Sequence, residues 1–518
     1  MNYMKDAEFQ MTKIFGYSEM KTAEIERLIR DGKMNKILDA SGEFTIVHED
    51  ELRVLVFTSW IGAIHYYYYY DGDRFCHGQQ IIDIVKTMRL NWEWDWVSVG
   101  DVCCQENLTE NRTLHKSIKR IPPGSLLVYD GRLRIYSKSL IDEFKEYSAD
   151  PVEAVEVFNN ETLKWASASS YLSLSGGFDS RVILSSMLKQ NIYPTVVTLG
   201  GTESTDVKVA SQIADRFGLP HIKVRLELED LLESGERIAY ITNGTKPACH
   251  WHTYMYPQKA NVPQDVSFFV GTLGEFARCY YFDKGMLSLL LDGSKENGQE
   301  IFWRLKFDRH TTFMQEEHKY LSPELSMEID KQGIGRKAKR NARLSGGNLL
   351  AGGSRYYLEQ RVPNFYSNGI RMYNETSGWR SPFHNKRWLE IIWSLQENWK
   401  LGSNWHRLAI KRNFPALLQF PEEKGFRQNR MMEKAPPFYW LPIFQRQKYK
   451  SYDLSENWYC DDRIREVILD NKDLLSDIVE TNFCDKIIKE HRERRTRTKA
   501  ISFLLTMLYF KKALRKSV

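Results

Sequence analysis

Residues 175–180 read Ser-Gly-Gly-Phe-Asp-Ser, and this order suits one chemical task, gripping a chain of phosphates. Two adjacent glycines let the backbone turn sharply and bring its N–H groups against an anion. A helix beginning near Ser180 adds its positive N-terminal end. Ser175 and Ser180 supply hydroxyl donors. Asp179 would repel a bare phosphate, so its presence calls for Mg2+ between the two. A lone Ser-Gly-Gly reads more simply as a capped glycine turn. Ser345-Gly346-Gly347 is such a copy: it lies in a basic stretch with no strand before it and no Asp after it, and it is assigned no function. The copy at Ser175 is distinguished by its setting, because a short apolar run, Tyr171 to Leu174, precedes it and an apolar-striped helix, Arg181 to Lys189, follows.

That setting repeats. The pattern predicts a helix over Val152 to Ser167, strands at Tyr193 to Leu199 and His221 to Leu226, and a helix over Asp206 to Phe217 closed by Gly218, a favoured C-terminal stop. Alternating strands and helices imply a parallel, doubly wound sheet. Ser267 to Val270 reads as a further buried strand. Beyond Lys284 the chain reads as largely helical, with Gly335 to Gly353 a basic, glycine-rich loop. Before Asp150 the character differs. Glu43 to His48 and Leu52 to Thr58 form a hairpin around charged residues, His65 to Tyr70 turns at Asp71-Gly72 and pairs back through Arg74 to His77, and Ser125 to Tyr129 pairs with Leu133 to Tyr136 around Asp130-Gly131. A helix spans Gln79 to Leu90, and Glu24 to Ile37 has helical spacing. The expectation is an antiparallel β-rich domain over residues 1–145 and an α/β domain over 146–518, the latter with a helical lobe.

The segment SLSGGFDSR resembles the pyrophosphate loop of the N-type ATP pyrophosphatases, and the surrounding chain resembles the asparagine-synthetase-like family. Asp206, Ala210, Ala214, Gly218 and His221 fall in the register of that family's second strand-helix unit. Ile121-Pro-Pro-Gly124 resembles its Pro-Gly turn, and Gly378-Trp-Arg-Ser-Pro-Phe383 its Arg-x-Pro-Phe segment. His384 stands where the family places an apolar residue. The resemblance implies ATP and Mg2+. It puts the nucleotide on Leu174, Ser175, Gly176, Gly177, Phe178, Asp179 and Ser180, bordered by Thr198 and Gly271. Gly271-Thr-Leu-Gly-Glu275 resembles the family's acidic turn, with Glu275 as a second Mg2+ ligand facing Asp179. Thr272 and Phe276 depart from the usual neighbouring acids. Glu423-Lys424-Gly425-Phe426 resembles the family's lysine segment, where the cation neutralises departing pyrophosphate; the copy here is one residue shorter. Lys424 and Glu275 are thus the expected catalytic residues.

Asparagine synthetases hydrolyse glutamine with an N-terminal cysteine whose thiolate and free amine act together. Here Asn2 follows Met1 and the first cysteine is Cys76, so the N-terminal domain is expected to be a degenerate Ntn-type fold without glutaminase activity. Such relatives resemble β-lactam synthetases and lasso-peptide cyclases. The expected reaction is amide formation by adenylation of a small-molecule, sugar-acid or peptide carboxylate, followed by attack of an amine or ammonia. A non-catalytic ATP-binding protein is the alternative from another class, and a lasso-type macrolactam cyclase is the specific substrate variant. A tRNA-modifying relative would carry a strong basic patch or catalytic cysteines, and neither is evident.

The remaining features bound these expectations. The 73 basic and 67 acidic residues leave a net charge of +6, too small over this length to argue for nucleic acid. The seven cysteines form no Cys-x-x-Cys pair, which points to reduced thiols. No secretory leader is evident in the N-terminal residues, and apolar runs such as Ile501 to Phe510 are too short for a bilayer. A cytoplasmic protein without membrane contact is expected, and a homodimer stays open. Tyr66 to Tyr70 reads as a buried strand, Glu490 to Lys499 as a solvated helix face, and His250 and His252 beside Cys249 as pocket residues rather than metal ligands.

Overall fold

Strands that are buried on both faces, as over residues 44–48 and 55–58, or alternate, as in Tyr67–Tyr70, set the N-terminal half. In this computed structural model, which describes residues 10–518 except 146, 279–299, 301–302, 305–306, 308–311, 346–348, 401–402, 422–454, 495 and 518, β1 (Gln10–Ser18), β2 (Gly42–Asp50), β3 (Val54–Thr58), β7 (Ser125–Tyr129) and β8 (Leu133–Ser137) form an antiparallel sheet in that order. A second sheet has β4 (Tyr67–Tyr70) between β5 (Phe75–Gly78) and β6 (Ile118–Arg120). Tyr67 and Tyr69 on β4 are buried in the main core. Helices α1 (Thr22–Arg30) and α2 (Asn35–Leu38) cover one face of the first sheet. Two further helices, α3 (Ile81–Met88) and α4 (Trp96–Gln105), lie between the strands in sequence.

The sequence expectation is corrected in two places. The stretch before Gly42 is not only helical: Gln10–Ser18 pairs with β2 over nine residues, so the sheet has a strand the apolar pattern did not reveal. The basic stretch Gly335 to Gly353 is not a loop. Lys331–Ser345 and Leu349–Tyr356 are helices, because alanine, lysine and arginine favour helix enough to carry the scattered glycines. Gly346 and Gly347 lie outside the described residues.

The second half is built as βα units. The parallel sheet has the order β11 (His221–Val224), β10 (Thr195–Leu199), β9 (Tyr171–Ser173), β12 (Ser267–Phe269), β13 (Gly378–Arg380). Helices α5 (Pro151–Trp165), α6 (Phe178–Lys189), α7 (Thr205–Phe217), α8 (Leu228–Ile241) and α9 (His252–Lys259) connect and flank these strands. The strand order reverses direction at β9. In such sheets the ligand crevice lies outside the carboxyl ends of the strands at this switch point, which here is the gap between the ends of β9 and β12. The loop at Ser175 and the turn at Gly271 occupy those two ends.

One continuous core joins both halves, since Tyr67, Ile82 and Val99 share a cluster with Leu172, Val197 and Phe268. The helix Thr498–Ser517 threads through it with Ile501, Leu504, Leu508 and Phe510 fully buried. No helix among the described residues is long and apolar enough to cross a membrane.

Candidate functional site

Helix α6 begins without a side-chain cap. Its N-cap residue is Gly177 and no side chain caps it, and a helix start left uncapped is the arrangement that draws an anion. The preceding loop is held from within. The Ser175 N–H donates to Ser180 Oγ at 3.2 Å and the Gly177 N–H to Ser175 Oγ at 3.1 Å. The Gly176 N–H donates to Asp206 Oδ1 at 2.7 Å. A negative oxygen against this N–H is the kind of contact a phosphate oxygen makes, and it ties α7 to the loop.

Leu174, Phe178 and Thr198 support the loop from below. The Thr198 hydroxyl donates to the Leu174 carbonyl at 2.8 Å and lies 3.0 Å from His221 Nε2. Phe178 is buried under the guanidinium groups of Arg181 and Arg407, 5.4 and 5.2 Å from its ring centre. Ser180 is buried, with its hydroxyl turned into the loop.

Asp179, on the first turn of α6, is the charged centre. Arg278 Nη2 donates to its Oδ2 at 2.7 Å. Its Oδ1 lies 2.9 Å from His406 Nε2, yet no aligned hydrogen bond satisfies this buried oxygen. Burial pushes the Asp179 carboxyl up, but Arg278 and His406 outweigh it and hold the group below the usual carboxylate range. Burial lowers the His406 imidazole in spite of Asp179.

The turn at Gly271 closes over this carboxylate. A Cβ at Gly271 would stand 2.8 Å from Asp179 Cβ, and one at Gly274 would stand 2.5 Å from Asp179 Cγ. Glycine is therefore required at both positions for the close approach. Glu275 follows in the short helix Gly274–Arg278. Its carboxyl is raised, first by burial and then by the facing charge of Asp179, and the Tyr357 hydroxyl donates to its Oε2 at 3.1 Å. Tyr357 opens a π-helical stretch, Tyr357–Tyr366. Such widened turns recur at functional sites. Its far end reaches Lys246, whose Nζ donates to the Phe365 carbonyl at 3.2 Å and whose ammonium is pulled down to about 7 by burial and Arg361.

The donor set fits a divalent cation only in part from protein. Among the described residues no group of three or more His, Cys, Asp or Glu gathers as for a metal. Asp179 is close enough to Glu275 for its charge to raise that carboxyl, however, and the Asp179 Oδ1 left without an aligned hydrogen bond is a hard oxygen of the type Mg2+ takes. Sites for phosphate-bound Mg2+ use one or two carboxylates and leave the remaining positions to phosphate and water. The pair meets that demand.

The structure brings together the loop residues, Gly271 and Glu275. Lys424 lies outside the described residues. Three residues at the site were not anticipated: Arg278, His406 and Arg181. Arg181, fully buried, donates to the carbonyls of Gly176 at 2.6 Å, Phe420 at 3.1 Å and Pro421. It fastens the loop to the segment that leads toward Lys424. His250 sits beside Glu106, Nε2 to Oε2 at 3.8 Å; burial pulls the ring down, but Cys249 and Glu106 lift it to about 9.

Residues 168–260 match a family model described as asparagine synthase. The matched stretch runs from just before β9 through α9, and so contains the loop and Asp206 but ends before Glu275. No curated protein matches the chain at a significant level. The strand order and the uncapped start of α6 at the switch point agree with this match, and over residues 168–260 the chain is similar to the asparagine synthase family.

Proposed function

We propose that this protein is an ATP-dependent, AMP-forming amide ligase without glutaminase activity. The family match supports an amide-forming ligase of the ATP-pyrophosphatase type. The observation that carries the finer reading is Asp179 at an uncapped helix start, facing Glu275 across the sheet's switch point.

The phosphates of ATP lie along Ser175 to Ser180, against the uncapped N–H groups that open α6. Asp179 and Glu275 are the residues that would hold Mg2+, which would supply charge neutralisation for the phosphates. A substrate carboxylate oxygen attacks the α-phosphorus, and the bond to the bridging oxygen of pyrophosphate breaks. An amine or ammonia then attacks the acyl carbon of the adenylate, loses a proton, and AMP departs with the electron pair of the C–O bond. No protein residue forms a covalent intermediate, so positioning and charge carry the rate. Arg278, 2.7 Å from Asp179, is placed to exchange its carboxylate for a phosphate oxygen when nucleotide arrives. Lys424 keeps its expected role with the leaving pyrophosphate.

The thiols of the N-terminal half accord with the absence of glutaminase: Cys103 and Cys104 are fully buried, and burial pushes the Cys76 and Cys103 thiols up, which disfavours the nucleophilic thiolate. The division into residues 1–145 and 146–518 belongs to the same proposal, as do a carboxylate and an amine as the partners and the cytoplasm as the location.

One observation favours a second function. The Arg278–Asp179 ion pair neutralises the acid that the metal needs, as a protein that holds ATP without turning it over could tolerate. Pyrophosphate release from ATP, with a panel of small-molecule, sugar-acid and peptide carboxylates, separates the two. Release that requires Mg2+ and vanishes in Asp179→Ala supports the ligase. ATP binding with no pyrophosphate across the panel supports the binding protein.

A further inference from the structure

The chemistry above leaves His384 without a task. It departs from the apolar residue expected after Pro-Phe, and it is buried at the seam between the two halves of the molecule. Its Nδ1 stands 3.2 Å from Oε1 of Glu43, on β2 of the N-terminal sheet, a close electrostatic contact without an aligned hydrogen bond, with both side chains 2 % exposed or less. Glu43 is fixed in turn: its Oε2 accepts from the Ser59 hydroxyl at 2.8 Å and from the Ala63 N–H at 3.1 Å. The other ring nitrogen, Nε2, lies 3.4 Å from the Thr272 hydroxyl. Ser381 donates its hydroxyl to the Thr272 carbonyl at 2.9 Å.

Thr272 is another departure from the family pattern, standing where an acid is expected, and it touches His384. The turn that carries it is strained. The Gly274 N–H donates to the Gly271 carbonyl at 3.2 Å, which closes a four-residue turn, and its third residue, Leu273, has φ +71° while its side chain is fully buried. A branched residue in the left-handed region persists only where the surroundings fix it. Gly274 of this turn backs directly onto Asp179, and Glu275 follows.

We propose that Glu43 and His384 are positioning residues for the nucleotide site. The carboxylate of the N-terminal sheet orients the imidazole. The imidazole, with Ser381, clamps Thr272. The strained turn then keeps Gly274 and Glu275 against Asp179. The N-terminal domain serves the synthetase half as a brace that reaches the metal-binding carboxylates through three side chains.

The inference rests on the ATP-binding reading of the loop. The full chain is titrated with ATP, once with Mg2+ and once in EDTA, as wild type, Glu43→Gln, His384→Leu, His384→Gln and Thr272→Val. Loss of an outer contact to a metal site weakens binding by about 10-fold to 100-fold. That loss is expected with Mg2+ for Glu43→Gln, His384→Leu and Thr272→Val, while affinity in EDTA stays at the wild-type value. His384→Gln, which keeps a polar group toward Thr272, recovers part of the loss. Thr272→Val changes no buried charge and serves if the other variants do not fold. Wild-type Mg2+-ATP affinity in folded His384→Leu or Thr272→Val overturns the inference, as does equal weakening with and without Mg2+. If the wild type itself binds no ATP, the reading of the loop fails and the inference falls with it.

Discussion

At the residue scale, Glu275 has the least comfortable environment at the site. It is half-buried and close to the ionised Asp179, and desolvation and that charge both raise its carboxyl. Its folded value therefore lies above its unfolded one. The sign follows: its contribution to stability is fully present below the unfolded value and is lost as pH rises through the folded value. In the ligand-free protein, ionising Glu275 is thus a cost that grows as pH rises. Glu275→Gln should raise the denaturation midpoint near pH 7, and the gain should shrink as pH is lowered toward the ordinary carboxyl value. The same variant should weaken Mg2+-dependent ATP binding by about 10-fold or more, since it deletes a ligand charge. Chemical denaturation over a pH series checks the first outcome and calorimetry the second. These tensions were only partly legible in the sequence. Asp179 and Glu275 stood in recognisable motifs, but Arg278 and His406 carry no local signal. His406 meets Asp179 from a helix more than two hundred residues away, and only the fold reveals the pair.

At the element scale, the loop and the acidic turn work because two helices and two strand ends are locked together. Gly274→Ala would drive a Cβ to 2.5 Å from Asp179 Cγ. The turn must then back away, at a cost of about 1–3 kcal/mol for overpacking, and Mg2+-ATP binding should be lost while the circular-dichroism spectrum is retained. Arg181→Ala should cost about 3 kcal/mol or more, because buried carbonyls left without a donor cost about 1–3 kcal/mol each, and Gly176, Phe420 and Pro421 all accept from it. Urea denaturation measures that loss. Elements were the most legible level. The strand before the loop and the helix after it lie within a few residues of the pattern expected from their apolar spacing. The failures have physical causes. β1 (Gln10–Ser18) is an edge strand of mixed polarity whose pairing with β2 is set by tertiary contact rather than by its own alternation. The helix Lys331–Ser345 has Gly333 and Gly335 near its start, and Gly335 opened the glycine-rich stretch that suggested a loop. A Cβ at Gly333 would meet the Glu328 carbonyl oxygen at 2.4 Å, so that glycine is there for close packing, not for flexibility.

At the scale of the whole molecule, the two halves share more than a linker. Glu43 meets His384 across the seam. His65 Nε2 lies 2.7 Å from both the Pro363 carbonyl and the Ser367 hydroxyl. Asp101 on α4 is fully buried and takes Lys337 Nζ at 2.9 Å; Arg340 approaches at 3.2 Å. Removing one partner of such a buried pair costs about 3–5 kcal/mol, and Lys337→Met should lower stability by that order. Because these contacts and a common core cross the boundary, the chain should melt in one cooperative transition. Two resolved transitions in calorimetry would contradict that expectation. The sequence showed the change from antiparallel to βα character near Asp150, but not the depth of the contact between the halves, since each partner lies far from the other along the chain.

The central claim is that the loop at Ser175 to Ser180 splits ATP between the α- and β-phosphates. ATP labelled at the α-phosphate, incubated with the full chain, Mg2+ and the carboxylate panel, tests it most directly. The label is predicted to appear in AMP with wild type and to remain in ATP with Asp179→Ala. Label appearing in ADP, or AMP formed undiminished by Asp179→Ala, would contradict the account.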